Sequence, residues 1–347
     1  MSNVTARFVA PELLALGPPP DLASIPYQTL LDQTLARTAE ELAAAGIEWD
    51  VASLQANPAA RLGRVAVYRD TLRRSAIHQA VTQTFLGSAT GVMLDQRAAD
   101  YGVLRRSIPQ GATLAGQRPA EVPLAWVFDA AAGLWREDDE SLRTQARLAW
   151  EALSVAGPPG AYVFHARAAH PMVQTAAIYG PESGHVQPGE VLVIPQSFAA
   201  SGVPTPETID SVADRLDAGL VIYGTGASRT RQVRDAQAIR PLGAFVIVKA
   251  PQPVPFYVSA RIFVRPGPDR ETIRRTAQDR LAAFLAAKKA VGVEIPRSAI
   301  IAALHVADAA GLPIVEEVEL VWPLVDVVPL HDQIAVVSTI SVEAVVR

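Results

Sequence analysis

The chain has 347 residues and a formal net charge of −4; half of its residues are hydrophobic, 19% are charged, and the mean hydropathy is +0.18. A single hydrophobic core stops growing at about 250 to 300 residues, so this length predicts more than one domain. The absence of cysteine excludes disulfide scaffolds, thiolate metal sites and thiol nucleophiles, and the even spread of charge argues against direct nucleic-acid binding.

Residues 1–26 are expected to form an extended arm. Pro18-Pro19-Pro20 favours a polyproline path and provides no amide donors. The N-terminus has no signal-peptide pattern, and no stretch reaches the roughly 18 apolar residues of a membrane span. We therefore expect a protein that has no membrane partner and is made and kept in a cytoplasm.

Residues 27–106 are expected to form a helical domain. An apolar stripe predicts an amphipathic helix that begins at Tyr27. Asn57-Pro58 marks the start of a long helix to about Leu86, and its apolar residues occupy more than one stripe, which indicates more than one neighbour. A shorter helix is expected from Gly91 to Ala99.

The arm and the first helix carry large apolar side chains that water would otherwise surround. We therefore predict that they lie against the protein's own body or against a neighbouring subunit, and that they form an assembly interface. The predicted members of this interface are Leu13, Leu14, Leu16, Leu22, Tyr27, Leu30, Leu31, Leu35 and Leu42.

Residues 107–160 are expected to connect the helical domain to the C-terminal half of the chain. The apolar run Leu124–Phe128 predicts a short strand or hairpin between prolines. A helix is then expected after the charged run Arg136–Glu140, whose acidic residues complement the positive end of the helix dipole. We expect this helix to end at Gly157–Gly160.

Beyond residue 160 the apolar period changes from about 3.6 to about 2, which indicates strands. A first module is expected over residues 161–238, in which a helix comes after the strands Tyr162–Ala168, Val173–Tyr179 and Glu190–Pro195. A second module is expected over residues 239–347, with two helices, the later one ending at Gly311, and the strands Phe245–Lys249, Phe256–Arg265, Ile314–Val321 and Gln333–Val346. The predicted fold class is α+β: an α-helical N-terminal segment followed by small α+β modules with antiparallel or mixed sheets.

The loop Gly224–Arg234 is rich in glycine and arginine. It has two glycines of a dinucleotide fingerprint but lacks the third, and no phosphate-binding lysine motif occurs in the chain. The pattern is typical of a mobile hairpin or linker, and we expect no cofactor.

Histidines and carboxylates offer the remaining candidates for catalysis. His165 and His170 flank a predicted turn between strands, and Glu137–Glu140 is a run of four acidic residues. A hydrolase or transferase of unrecognised type would use these groups for general acid–base chemistry or for a shared metal. A structural role is favoured for each, because acidic residues at a helix start are usually solvated, no carboxylate has ligand spacing to the histidines, and an imidazole readily finds a partner at a boundary position. We therefore expect neither a metal site nor an enzyme.

A series of short phrases occurs in a fixed order along the chain: Asn57-Pro58-Ala59, Val67–Asp70, Leu72-Arg73, Ala89–Asp95, Ala98, Tyr101–Val103 with Arg105, Gly160–Tyr162, His165-Ala166, Val173, Ile239–Leu242, Val258–Ala260 and Ser298–His305. Taken in order, these phrases resemble the bacteriophage baseplate J family. The similarity spans about residues 10 to 340, although the segment Pro109–Trp135 matches little and the loop Gly224–Arg234 is longer than the family pattern.

The resemblance implies a structural wedge component in the baseplate of a contractile tail, in a phage or a tail-like device. It implies that two copies pair with one partner of the baseplate I type and that the wedges close a ring around the hub, next to other baseplate, hub and sheath-initiating proteins. N-terminal helices would form a bundle with the partner, and expansion of the ring would trigger sheath contraction. A peripheral host-binding module is the alternative that this resemblance disfavours.

Overall fold

The computed structural model describes residues 25–47, 58–110, 117–119, 121–154, 157–233, 239–241, 243–265, 269–307 and 313–346. The chain separates into two compact units. The helical unit contains the described residues up to Arg105 together with Asp139–Ala146. The larger unit contains Arg106–Asp138 and the described residues from Arg147 onward.

The helical unit is built from α1 (Tyr27–Ala44), α2 (Pro58–Thr82), α3 (Gly91–Asp100) and the first half of α4 (Asp139–Ala152). The α2 helix ends about one turn before the predicted end at Leu86, since residues 83–88 form successive turns. Arg143 holds those turns by donating hydrogen bonds to the carbonyl oxygens of Leu86 and Ala89, both at 2.9 Å.

A three-stranded antiparallel sheet begins the larger unit. It has the order β1 (Ser107–Pro109), β3 (Leu134–Arg136), β2 (Val127–Asp129). Trp126 and Trp135 pack with Val122 in a small core of its own. The predicted apolar run at Leu124–Phe128 therefore supplies part of one strand of this sheet, which is small because each strand has three residues.

A five-stranded mixed sheet forms the centre of the larger unit. Its strands are β4 (Val173–Tyr179), β5 (Glu190–Ser197), β6 (Leu220–Ile222), β7 (Ser228–Thr230) and β8 (Phe245–Lys249). In the order β4-β5-β8-β6-β7, the inner pairs are parallel and the outer pairs are antiparallel. Two helices, α5 (Pro159–Ala169) and α6 (Pro206–Arg215), share one apolar core with these strands.

The prediction of a strand over Tyr162–Ala168 is wrong, because these residues form α5. Pro159 occupies the first turn of the helix, where a missing amide donor costs nothing. Five of the residues from Tyr162 to Arg167 are buried, including the polar His165 and Arg167, so polar and apolar positions here do not follow the helical period of a one-sided surface. A short apolar run buried on most sides cannot be assigned to helix or strand by periodicity alone.

The strand Phe245–Lys249 is grouped with the second module by its position in the sequence, but β8 lies between β5 and β6 in the five-stranded sheet. Val246 and Val248 are buried in the core of that sheet. A central parallel strand pairs with a strand on each edge and is covered on its faces, so it reads as a continuous apolar run. Such a run does not show which sheet the strand joins.

A third sheet, again of three strands, completes the larger unit. It has the order β10 (Val315–Trp322), β9 (Gln252–Val264), β11 (Gln333–Val346), with β10 antiparallel and β11 parallel to β9. The alternation along β9 is confirmed by the burial of Phe256, Val258, Ala260, Ile262 and Val264. The helices α7 (Arg270–Lys288) and α8 (Arg297–Leu304) complete this core.

Contacts join the two larger sheets. Tyr179, Leu192 and Ile194 of the five-stranded sheet pack with Val291 and Ile334 in a shared apolar cluster. Polar contacts add to this junction, since the Lys289 ammonium donates to the carbonyl oxygen of Ala199 at 3.0 Å. The helix α8 ends at Leu304, before the predicted end at Gly311, which lies outside the described residues. Among the described residues, no helix is long and apolar enough to cross a membrane.

Candidate assembly surface

The predicted interface on α1 is partly covered by the protein itself. Leu30 and Leu31 are buried against Val67 of α2, and Leu35 packs against the same cluster. Tyr27 remains exposed and Leu42 is half-buried. Leu13, Leu14, Leu16 and Leu22 lie outside the described residues. The leucines of α1 thus fasten α1 to α2, and the surface available to another chain lies on other side chains.

A stripe of apolar side chains runs along the other side of α2. We call Leu62, Val65, Tyr68 and Leu72 the α2 stripe; between 52 and 71% of each is exposed. At 3.6 residues per turn these four positions occupy about a third of the helix circumference, nearly opposite the buried Val67. This stripe is the second neighbour-facing surface that the mixed apolar pattern of α2 predicts.

Positive charge surrounds the α2 stripe. The helix contains five arginines and one acidic residue, Asp70, so it has a net charge of +4. Asp70 accepts a hydrogen bond from Arg74 at 2.8 Å, so the one carboxylate of α2 is already engaged by an arginine of the same helix. An apolar stripe with basic flanks favours a partner surface that is apolar at its centre and acidic at its edges.

A second exposed apolar surface lies on the loop between β10 and β11. We call Leu324, Val325, Val328 and Leu330 the loop patch; between 60 and 73% of each is exposed. The Asp326 carboxylate accepts the backbone N–H of Arg297 at 2.7 Å, and the Arg297 guanidinium donates to the carbonyl oxygens of Pro323 and Leu320. The loop is therefore held in place while its apolar side chains face outward, and the carboxylate among them is occupied.

A largely buried arginine side chain fixes the end of the helical unit. Arg105 donates from Nε to Asp95 at 2.6 Å and from Nη2 to Asp139 at 2.7 Å. The second oxygen of Asp139 accepts the backbone N–H of Gly91 at 3.0 Å. Burial acts to raise the pKa of Asp139, but the Gly91 amide and the Arg105 guanidinium together hold it below its usual value. Asp95 and Arg105 belong to the phrases that carry the family resemblance, and this contact gives them a structural role.

The acidic run Glu137–Glu140 does not form a free cluster. Glu137 is buried and accepts from the guanidinium and the backbone N–H of Arg106. Asp139 belongs to the Arg105 contact, and Glu140 pairs with Arg143. These carboxylates therefore serve ion pairs within their own units.

The two candidate histidines lie on α5 and at its end, not in a turn between strands. Burial, with a smaller effect from the charge of Arg215, lowers the pKa of His165 to about 4. The Nδ1 atom of His170 accepts the backbone N–H of Met172 at 3.1 Å, which commits that nitrogen to the local loop. Within the described ranges, no three histidine or acidic side chains are grouped closely enough to hold a metal ion.

The predicted loop Gly224–Arg234 is described as far as Val233. It supplies the turn and the second strand of the β6–β7 hairpin. Gly226 has a left-handed φ of 80°, and the backbone N–H of Tyr223 donates to Ala227 at 2.8 Å across the turn. Arg231 pairs with Asp214, and Arg234 lies outside the described residues. The hairpin geometry explains the glycines without a nucleotide.

Exposed apolar surfaces of this kind are typical of one class of protein: a structural subunit that neighbouring chains complete. The profile of the Baseplate J-like N-terminal domain matches residues 55–112, and that of the Baseplate J-like central domain matches residues 154–250. The second range contains the whole five-stranded sheet with α5 and α6.

Baseplate protein J of Escherichia phage P2 is similar to this chain, with 28% identity over 277 residues. The similarity covers 80% of this chain and 78% of that protein. The chain therefore contains two domains of the baseplate J-like type. These domains and the similarity to a phage baseplate protein imply a structural protein of a phage baseplate, which agrees with the exposed apolar surfaces.

Proposed function

We propose that this protein is a wedge component of a contractile-tail baseplate, located in the virion after synthesis in the host cytoplasm. Two copies pair with one partner of the baseplate I type, and the wedges close a ring around the hub. The ring transmits the conformational change that triggers sheath contraction. The similarity to the baseplate protein of phage P2 supports the location, and the α2 stripe supports assembly.

The α2 stripe is the observation that carries the proposal. Burial of a large apolar side chain contributes about 1.5 to 3 kcal/mol before the costs of association. Four such side chains on one helix face would contribute about 6 to 12 kcal/mol before those costs, which favours a partner helix packed against this face. Two copies of α2 would bring two sets of five arginines together, so the charge favours a different chain as the partner of this stripe.

The loop patch suits a contact between two copies of the protein. Both acidic residues of the loop are engaged within the chain, since Asp326 accepts from the Arg297 backbone and Asp332 pairs with Lys249. An apolar patch whose charges are compensated in this way can meet its own copy across a two-fold axis. The two surfaces thus have different partners: an acidic helical partner on α2 and a second copy on the loop.

Co-expression with the neighbouring baseplate I-type protein tests this proposal. The wild-type chain is expected to co-purify with that protein as a complex of defined mass. The double substitution Leu62→Gln and Leu72→Gln removes both ends of the α2 stripe. It is expected to weaken the complex at least about 100-fold, because two apolar contacts are replaced by amides that must lose water on binding.

The matched control is Val92→Gln, which changes an equally exposed apolar side chain on α3 outside the stripe. The control is expected to retain the complex. Loss of co-purification in the control as well, or retention in the double variant, would contradict the assignment of the α2 stripe. A wild-type monomer that ignores every neighbouring tail protein would contradict the proposed function itself.

A further inference from the structure

Two histidines from different parts of the larger unit stack on each other where its two larger sheets meet. The rings of His185, between β4 and β5, and His331, just before β11, are 3.8 Å apart and nearly parallel, at 7°. Each ring stands edge-on to Tyr179 of β4, at 5.3 and 5.6 Å with planes at 88°. This arrangement places two titratable rings in van der Waals contact.

The histidine pair is tied to both sheets. The Tyr179 hydroxyl donates to the backbone oxygen of His331 at 2.8 Å, and Tyr179 is also part of the apolar cluster that joins the sheets. Next to His331, Asp332 pairs with Lys249 of β8 at 2.6 Å, and its backbone oxygen accepts from Gln252 of β9. The stacked rings therefore lie on the same junction that holds the five-stranded and three-stranded sheets together.

The surroundings of His331 oppose its protonation. Burial, the neighbouring His185 and the Lys249 ammonium lower the pKa of His331, and only Asp332 acts to raise it. The Asp332 carboxylate, which raises the pKa of His331, is itself paired with Lys249. Two imidazolium ions at stacking distance repel each other, so the stacked form requires that at least one ring is neutral.

We propose that the His185–His331 pair is a proton-sensitive latch that closes the junction between the two sheets when it is neutral and loosens it when both rings are protonated. The latch holds at neutral pH and opens as the pH falls below the ordinary histidine range. Because free imidazoles bind protons more readily than stacked ones, acid favours the open form. This inference does not depend on the proposed assembly function.

Hydrogen exchange of the full chain tests the latch. Amide protection in residues 176–194 and 288–295 is compared at pH 7.5 and pH 5.5, after correction for the intrinsic pH dependence of exchange. The wild type is expected to lose about three- to tenfold protection there, since each proton linked to opening changes the equilibrium by at most about tenfold per pH unit. Unchanged protection in the wild type would overturn the proposal.

Substitutions assign the effect to the pair. His331→Gln is expected to abolish the pH dependence of this protection, and His305→Gln, which changes an exposed histidine at the end of α8, is expected to retain it. NMR titration of the histidine rings provides a readout that does not depend on stability. His185→Gln is expected to raise the titration midpoint of His331, and an unmoved midpoint would overturn the coupling.

Discussion

Replacement of Arg105 by alanine tests whether a buried ion pair fixes the helical unit. Only 10% of the Arg105 side chain is exposed, and its loss would leave Asp95 and Asp139 without their cation. Removal of one partner from a fully buried pair costs about 3 to 5 kcal/mol. Because about a third of each carboxylate is exposed, water offsets part of this cost, and we expect a loss of about 2 kcal/mol.

The control is Arg37→Ala in the same unit. Arg37 also pairs with two carboxylates, Glu40 at 3.1 Å and Glu41 at 2.9 Å, but 72% of its side chain is exposed. Exposed pairs contribute about 0 to 1 kcal/mol, so this substitution is expected to change the stability little. The two substitutions remove the same kind of side chain, each paired with two carboxylates, and the two side chains differ in burial.

The free energy of unfolding of both variants is measured by urea unfolding of the full chain, with hydrogen exchange in α3 as the local readout. No salt is added, because salt would screen the ion pairs. Since the pKa of Asp139 is held below its usual value, the stability that this carboxylate contributes is present at neutral pH and is lost as the pH falls through its lowered folded pKa. The penalty of Arg105→Ala is therefore expected to shrink in acid. Equal penalties for Arg105→Ala and Arg37→Ala at neutral pH would refute the reasoning.

Two buried positions provide further tests of the packing. Burial lowers the pKa of His165 to about 4, so as the pH falls the unfolded chain binds a proton at this residue before the folded chain does. The free energy of unfolding is therefore greatest above the ordinary histidine value of 6.5 and falls by about 3 kcal/mol as the pH drops to 4. His165→Leu should remove most of that pH dependence from urea midpoints measured across this range. Gly202→Ala and Gly133→Ala both place a side chain at a left-handed φ. A Cβ at Gly202 would lie 2.5 Å from Cδ1 of the buried Ile334, whereas Gly133 faces open space. Gly202→Ala should therefore lower the thermal midpoint more, and equal midpoints would contradict this packing.

The sequence predicts those elements whose burial is one-sided. The strands β9 and β11 are predicted because a sheet covered on one face alternates, and the bounds of β11 agree with the prediction residue by residue. The helix α5 and the strand β8 cannot be placed in the same way. Both are covered on several sides, so their apolar residues show burial but not the element type or the neighbour.

The candidate surface is only partly predictable for a similar reason. The pattern of α2 indicates two neighbours, but it does not show that α1 is one of them. Because α1 packs on α2, Leu30 and Leu31 of the predicted interface are buried within the protein itself. The loop patch carries no periodic signal. Its exposure depends on contacts from Arg297, which lies more than twenty residues earlier in the chain, and such tertiary contacts are not visible in local sequence.

Charge distinguishes the two exposed surfaces more sharply than apolar character does. The chain as a whole has a net charge of −4 whereas α2 has +4, so α2 is a basic element of an acidic chain and attracts an acidic partner over the distance of the Debye length. Contacts through the α2 stripe are therefore expected to weaken as salt rises from about 50 mM to about 500 mM, because the attraction is screened. Contacts through the loop patch are expected to persist or to strengthen, because apolar burial is not screened. Sedimentation of the wild type, Leu72→Gln and Leu324→Gln across this range, each with and without the baseplate I-type protein, separates the two contacts. A loop contact that weakens as salt rises would show that charges outside the patch hold it.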